Sequence, residues 1–362
     1  MANEPSLLEL KRRCEKDPQE VGNVIDLVRR YSSLGKHGEA LKLCRSMIKR
    51  HSRAYSFLLE FANVLYRNDD IKEARLIFKR LTELKPDRVE AWNNLGILEL
   101  SAGNLEEAHE VFDCVLKLEP RNVGALCNIG NYFADKGDEA LAATYFERAV
   151  DIRPDFTEAW YNLGNSYMSL NRFSDAKDAL EKAVFYEESF GSAHKNLGFA
   201  CEQLGEYDKA LSCYGKAAAL NKDDAGVHVN MAGVHMRMEM YGKALECGKR
   251  AVRLAPAEPS GWNALRSAAL QLNDGRAYHR AVIAFIGSID DDSLARSIRD
   301  LRKMGFEREA EELQQYAVKI NKAGVSVDAL PFAESRAPTL QAEAINQQLY
   351  KIINNRSAVG RG

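Results

Sequence analysis

Apolar residues recur at helical spacing in a 34-residue unit that begins at Thr157. Trp160, Leu163, Gly164 and Tyr167 stand at positions 4, 7, 8 and 11 of this unit, so they form one stripe along a helix. A second stripe follows at positions 20, 24 and 27, after a short turn. Two amphipathic helices joined in this way cannot bury both stripes alone. The pattern therefore predicts helix pairs that stack on neighbouring pairs.

The unit recurs in phase along the chain, with position 1 at Val21, Tyr55, Val89, Val123, Thr157, Gly191, Ala225 and Pro259. Position 20 is alanine in seven consecutive units, and the turn at position 15 is Gly35, Gly103, Gly137, Gly205, Asn171 or Asn273. At these residues the chain resembles the tetratricopeptide repeat family, over roughly residues 21–272. The resemblance implies an all-α fold, a right-handed α-solenoid (superhelix) of stacked 34-residue helix-turn-helix repeats.

The repeat phase also predicts how the chain is divided. We expect an N-terminal capping helix in residues 1–20, a repeat array of about seven to eight units in 21–275, and a degenerate helical hairpin as a C-terminal cap in 276–322. Residues 323–362 are predicted to be a linker, a short amphipathic helix over 339–353 and a disordered tail. That helix could fold back on its own solenoid, dock on a second copy of the chain, or bind a partner.

Composition excludes some classes of partner. The net charge is −2, which gives no overall attraction to nucleic acid or to an anionic membrane. Residues 1–54 carry 12 Lys/Arg against 7 Asp/Glu, whereas residues 87–190 carry 9 against 20. The acidic middle either favours encounter with basic partners or is simply a solvated surface. We expect no membrane span, and the absence of a signal-peptide pattern and the scattered seven cysteines favour a cytoplasmic protein.

Motifs for catalysis and metal binding are missing from the sequence. No H-E-x-x-H or G-x-S-x-G pattern occurs, and Gly242-Lys243 lacks the rest of a P-loop. His194 and His228 are 34 residues apart at position 4, which tryptophan holds in other units, so we expect core packing rather than a metal pair. The sequence therefore predicts a protein that is not an enzyme and uses no cofactor or metal.

Asparagine recurs on the helix face opposite the apolar stripe. Its amide competes for backbone hydrogen bonds and makes it a mediocre helix former, so local propensity does not explain the series. The face includes position 6, with Asn94, Asn128, Asn162, Asn196 and Asn230, and position 9, with Asn63, Asn131 and Asn165. Position 5 adds the flanking side chains Asn93, Tyr161 and Lys195.

In the tetratricopeptide repeat family the first helix of each repeat lines the concave side, so the resemblance implies an asparagine ladder on a groove floor. The ladder is similar to that in the repeat region of O-linked N-acetylglucosamine transferases, whose catalytic half is missing here. Amides offer both a donor and an acceptor, so such a ladder suits an extended peptide or disordered segment. The alternatives are that the asparagines bond to one another or descend from one duplicated unit. A self-assembling structural protein and a specificity subunit of a separate enzyme, such as a glycosyltransferase, also stay open.

Overall fold

The computed structural model describes residues 5–284 and 291–323, and within these ranges it contains nineteen α-helices and no strand. The all-α repeat solenoid predicted from the sequence is confirmed. The amphipathic helix predicted over 339–353, and with it the proposed contact to a second copy, lies outside the described residues. The chain forms two compact units that divide after Leu170.

Unit 1 contains ten helices in its described part, and most of its hairpins follow the 34-residue phase. These helices are α1 Leu7–Lys16, α2 Val21–Ser33, α3 His37–Met47, α4 Tyr55–Arg67, α5 Ile71–Leu84, α6 Val89–Ser101, α7 Leu105–Leu118, α8 Val123–Asp135, α9 Glu139–Ile152 and α10 Thr157–Ser169. Helix α1 begins at the N-cap Ser6, whose side chain accepts a hydrogen bond from the Glu9 amide, and it buries Leu10 and Cys14.

Unit 2 contains nine helices in its described part. They are α11 Phe173–Tyr186, α12 Gly191–Gln203, α13 Tyr207–Leu220, α14 Ala225–Arg237, α15 Tyr241–Leu254, α16 Pro259–Gln271, α17 Gly275–Ala284, α18 Asp291–Lys303 and α19 Glu307–Ala323. The last hairpin has Gly305 at its turn and the buried Ala310 five residues later, as in a repeat that starts at Asp291. The repeat phase thus restarts two residues early, and α17 begins at Gly275, close to the predicted end of the array.

The first helix of each hairpin ends because position 15 adopts a left-handed conformation. Gly35, Gly103, Gly137 and Gly205 have φ between 69° and 81°, and Asn171 and Asn273 have φ of 58° and 55°. The amide of the next residue then bonds to a carbonyl five residues back, as from Asn104 to Glu99 at 2.9 Å. Asp69 and Glu239 adopt the same conformation at φ of 63° and 57°, which the sequence did not predict.

The two helices of a hairpin meet where a small residue faces a large one. The alanines at position 20 are buried in all seven units, as predicted. Three glycines at position 8 lie against an aromatic ring at position 24: a Cβ on Gly96, Gly130 or Gly198 would stand 2.7 Å from a carbon of Phe112, Phe146 or Tyr214. Position 8 therefore fixes how closely the first helix approaches the second.

Candidate functional site

Neighbouring repeats are joined by side-chain pairs between position 9 of one repeat and position 6 of the next, 31 residues later. We call each such pair a step. Three steps in unit 1 are hydrogen-bonded: Arg29 Nε to Glu60 Oε1 at 2.6 Å, Asn94 Nδ2 to Asn63 Oδ1 at 3.4 Å, and Asn162 Nδ2 to Asn131 Oδ1 at 3.0 Å. Two pairs of the predicted ladder thus bond to each other, which was the alternative left open by the sequence.

The step between these two asparagine pairs is different, because its position 9 is Ile97. Isoleucine cannot hydrogen bond to the next position 6, and no hydrogen bond to the half-buried Asn128 side chain occurs within the part of the chain that the structure describes. Ile97 itself is 44% exposed. An apolar side chain open to solvent and an amide with free donor and acceptor therefore occupy neighbouring places on unit 1.

Unit 2 also has an apolar residue at position 9 of one step: it is Phe199, which is 39% exposed. Asn230, the matching position 6, hydrogen bonds to the phenol of Tyr214 instead. The Tyr214 hydroxyl donates to Glu202 Oε2 at 2.8 Å, and Arg237 Nη1 lies 3.2 Å from Glu202 Oε1. Burial, and then the bond to Glu202, raise the pKa of Tyr214, so this hydroxyl stays a donor.

The Tyr214 network was missed by the sequence analysis. Its signal is a tyrosine at position 24, where the repeats of Phe112 and Phe146 have phenylalanine. A buried tyrosine hydroxyl needs a hydrogen-bond partner, and Glu202 supplies one from the facing helix. The consequence is that Asn230 interacts with Tyr214 of the preceding repeat rather than with the position 9 residue of a step.

The flanking residues predicted to add specificity are also engaged in part. Lys195 Nζ lies 3.0 Å from Asp224 Oδ2, and Asp224 in turn caps α14 by accepting from the Val227 amide at 3.2 Å. Burial raises the pKa of Asp224, but the hydrogen bond and charge of Lys195, together with the backbone amides of Val227 and Gly226, outweigh it and hold that pKa below its ordinary value. Asn165, Asn196 and Tyr161 have interactions of their own, and Asn93 is half-buried.

Three neighbouring first helices of unit 1 make the surface that carries the steps acidic. Helices α6, α8 and α10 carry four carboxylates and no lysine or arginine. Glu99 is 1% exposed and is neutralised by Arg75 Nε at 2.6 Å, with Asn104 Nδ2 at 2.7 Å. The other three, Glu90, Asp135 and Glu158, are exposed, and none of them forms an ion pair with a described residue.

Where position 4 is tryptophan or His194, its ring hydrogen bonds to the backbone that leads into the repeat. Trp92 Nε1 donates to the Pro86 carbonyl at 3.0 Å, and the ring of the buried His194 makes the same contact to the Glu188 carbonyl at 3.0 Å. A carbonyl only accepts, so His194 Nε2 carries the proton there. Over the described ranges no group of three or more metal-ligating side chains occurs, and no helix has the length and apolar character needed to cross a membrane.

Solved structures similar to this chain are helical repeat proteins. The C-terminal part of a TPR repeat-containing protein from Cytophaga hutchinsonii aligns with a TM-score of 0.56 and 15% identity, over 67% of this chain and 99% of that one. A tetratricopeptide repeat protein from Parabacteroides merdae aligns with a TM-score of 0.50 and 12% identity, over 69% and 99%. These likenesses show the fold alone. No curated protein sequence matches the chain.

A third solved structure, the APC/C hetero-tetramer Cut9-Hcn1, aligns with a TM-score of 0.49 and 18% identity over 72% of this chain. The alignment spans only 52% of that longer chain, about half of its length.

Matches to models of protein families identify the family of the repeats. One model described as tetratricopeptide repeat matches residues 25–89, 59–114 and 93–155, and two others with the same description match 133–197 and 191–224. Repeats of this family are generally non-enzymatic scaffolds for protein–protein interaction. The matches run without a gap from residue 25 to residue 224, more than half of the sequence, and the chain therefore belongs to the tetratricopeptide repeat family.

Proposed function

We propose that the chain is a non-enzymatic interaction scaffold that binds an extended peptide or a disordered segment along the step face of unit 1. This face is the surface of the first helices that carries positions 2, 6, 9 and 13 of each repeat. The backbone of such a segment offers one donor and one acceptor per residue. An asparagine side chain offers both in return, so it can bind a peptide without reading its sequence. The resemblance of the asparagine series to that of the O-linked N-acetylglucosamine transferases remains a prediction from the residues.

The observation that carries the proposal is the free amide of Asn128. It is flanked by two hydrogen-bonded steps, Asn63 with Asn94 and Asn131 with Asn162. A half-buried amide without a protein partner is satisfied by water, and a peptide backbone can replace that water at little cost. The paired asparagines on either side hold the surface around it in place and still have unused donors and acceptors.

The proposal is tested by selecting linear 12-residue peptides, displayed on phage, against the immobilised full chain. The enriched peptides are then synthesised with a fluorescent label and titrated with the wild type, Asn128→Ala and Asn68→Ala. Losing two net hydrogen bonds should weaken binding by about tenfold in Asn128→Ala. Asn68 lies on the exposed C-terminal end of α4, so its replacement is the control and should leave the affinity unchanged.

The proposal is wrong if no peptide is enriched over the blank surface, or if Asn128→Ala binds the enriched peptides as tightly as the wild type. Circular dichroism of each variant separates a loss of binding from a loss of folding. Because Asn128 makes no hydrogen bond that its removal could break, we expect the two spectra to coincide with that of the wild type.

A further inference from the structure

The step face of unit 1 has two acidic edges. Glu90 and Glu158 occupy position 2, at the start of α6 and α10, and Asp135 occupies position 13, at the end of α8. Eleven residues of helix separate these positions, which is about 16 Å along the axis. Asn128 lies between the two edges on α8, at position 6, and is nearer to the edge at position 2 than to the edge at position 13.

Several acidic side chains on the surface are neutralised by a nearby cation, whereas these three carboxylates are not. Glu60 is paired with Arg29, Glu106 with Lys136, and Glu246 with Lys249. Glu90, Asp135 and Glu158 have no such partner within the described ranges, and the helices that carry them have no basic residue. The part of the step face that α6, α8 and α10 form has no cation of its own, so it presents a negative potential to whatever approaches it.

Ile97 adds an apolar contact next to the amide. It fills the place that Asn63 and Asn131 fill in the flanking steps, and it is 44% exposed. A ligand that covers it gains from removing this surface from water. The site therefore combines one apolar contact, one free amide and three unpaired carboxylates.

We propose that this site selects an extended basic peptide segment. One apolar side chain of the segment covers Ile97, its backbone bonds to Asn128, and lysine or arginine side chains on either side reach Glu90, Glu158 and Asp135. The inference rests on the proposed function and adds the chemical class of the partner. The same carboxylates repel phosphate, so nucleic acid and anionic lipid surfaces are unsuitable occupants.

The test uses the same displayed library and the labelled peptides enriched from it. The neutral-groove variant combines Glu90→Gln, Asp135→Asn and Glu158→Gln. Its matched control combines Glu107→Gln, Glu110→Gln and Asp151→Asn, which change the net charge equally on the second helices α7 and α9, where all three side chains are exposed. A further variant, Ile97→Asn, installs the amide pair that the flanking steps already have.

We expect the enriched peptides to carry net positive charge and at least one aliphatic or aromatic residue. The neutral-groove variant should weaken their binding by about tenfold, as three exposed charge pairs suggest, and should remove most of its dependence on sodium chloride. The matched control should stay within about twofold of the wild type, since its carboxylates lie off the step face. Ile97→Asn should weaken binding because Asn128 then has a partner within the chain.

Two outcomes would overturn the inference and can be told apart. Enriched peptides that are neutral or acidic, that lose affinity with Asn128→Ala and that ignore the neutral-groove variant would refute the basic partner and leave peptide binding intact. Failure to enrich any peptide, or enrichment that ignores Asn128→Ala, would refute the proposed function and this inference together. In the second case, a dimer in light scattering that Asn128→Ala weakens would assign the face to a second copy of the chain.

Discussion

At the scale of single residues, the glycines at position 8 leave no room for a side chain. Gly198 faces the Tyr214 ring, which is itself held by the hydrogen bond to Glu202. A ring fixed in this way cannot move aside cheaply for an added methyl group. Gly215, on the neighbouring α13, is exposed and has no atom within 4 Å of an added Cβ.

We therefore expect opposite effects from the same substitution at two glycines of one hairpin. Gly198→Ala should lower the free energy of unfolding by about 1–3 kcal/mol through overpacking. Gly215→Ala should raise it by about 0.5–1 kcal/mol through helix propensity. Guanidinium unfolding followed by circular dichroism measures both, and equal shifts in the two variants would contradict the packing argument.

Two histidines of α14, His228 and His235, make the stability of the fold depend on pH because both are partly buried. Burial lowers the pKa of His235, and Lys243 lowers it further. Burial and then Arg250 lower the pKa of His228, against an opposing effect of Asp224. Both pKa values therefore lie below the ordinary value of 6.5. Near pH 6.5 these two histidines bind protons more readily in the unfolded chain than in the folded chain. The stability that is present above this pH is therefore lost as the pH falls.

The expected result is a melting midpoint that falls between pH 7.5 and pH 5. Replacing both histidines, as His228→Gln with His235→Gln, should flatten this part of the profile. Carboxylates with lowered pKa values, such as Glu106 and Glu206, lose their contribution only below about pH 4.5 and leave this window unaffected. A profile that the double variant leaves unchanged between pH 7.5 and 5 would show that other groups govern it.

At the scale of the helix, the ends of the first helices show what sequence can and cannot predict. Glycine or asparagine at position 15 predicted six left-handed ends, because these residues tolerate positive φ. Asp69 was missed although aspartate also tolerates this conformation, whereas Glu239 could not be predicted, since the propensity of glutamate argues against it. There the stacked helices on both sides impose the turn, and the residue accepts the strain.

That strain is measurable. Glu239→Gly should raise the free energy of unfolding by about 0.5–1 kcal/mol, because relief of the left-handed strain exceeds the entropy that glycine adds to the unfolded chain. Gly205→Ala, at the same position of the preceding repeat, should lower it by about 1 kcal/mol. Thermal denaturation of the two variants is the measurement, and a loss of stability in Glu239→Gly would show that its side chain contributes contacts that outweigh the strain.

The sequence predicted the asparagines that form the steps, but it did not predict which of them pair with each other. The phase of the asparagines is visible as a 34-residue period, but the hydrogen bonds join residues 31 apart. The 31-residue offset depends on how far one repeat is shifted along the next. A helical wheel drawn for a single repeat carries no information about that shift. Ile97 and Phe199 looked like ordinary apolar residues in the sequence. Their importance emerges only when each is placed beside Asn128 or Asn230.

At the scale of the whole molecule, stability is distributed along the repeats rather than concentrated in one core. Each repeat of such an array contacts only its neighbours. Helix α1 stands at the end of unit 1 and buries only Leu10 and Cys14, whereas α8 has neighbours on both sides and buries five residues. We therefore expect amide hydrogens of α1 to exchange much faster than those of α8. Hydrogen exchange with mass spectrometry tests this, and equal protection of α1 and α8 would contradict it.

Because each step joins residues of two neighbouring repeats, 31 positions apart, the loss or gain of a whole repeat changes which side chains form a step. Loss of residues 89–122 would preserve the phase of the array and bring Asn63 beside Asn128. The only amide of unit 1 that now lacks a partner among its described asparagine steps would then be paired, as Asn94 and Asn162 are. A single recombination event that preserves the repeat phase would thus remove the free amide on which the proposed binding surface depends.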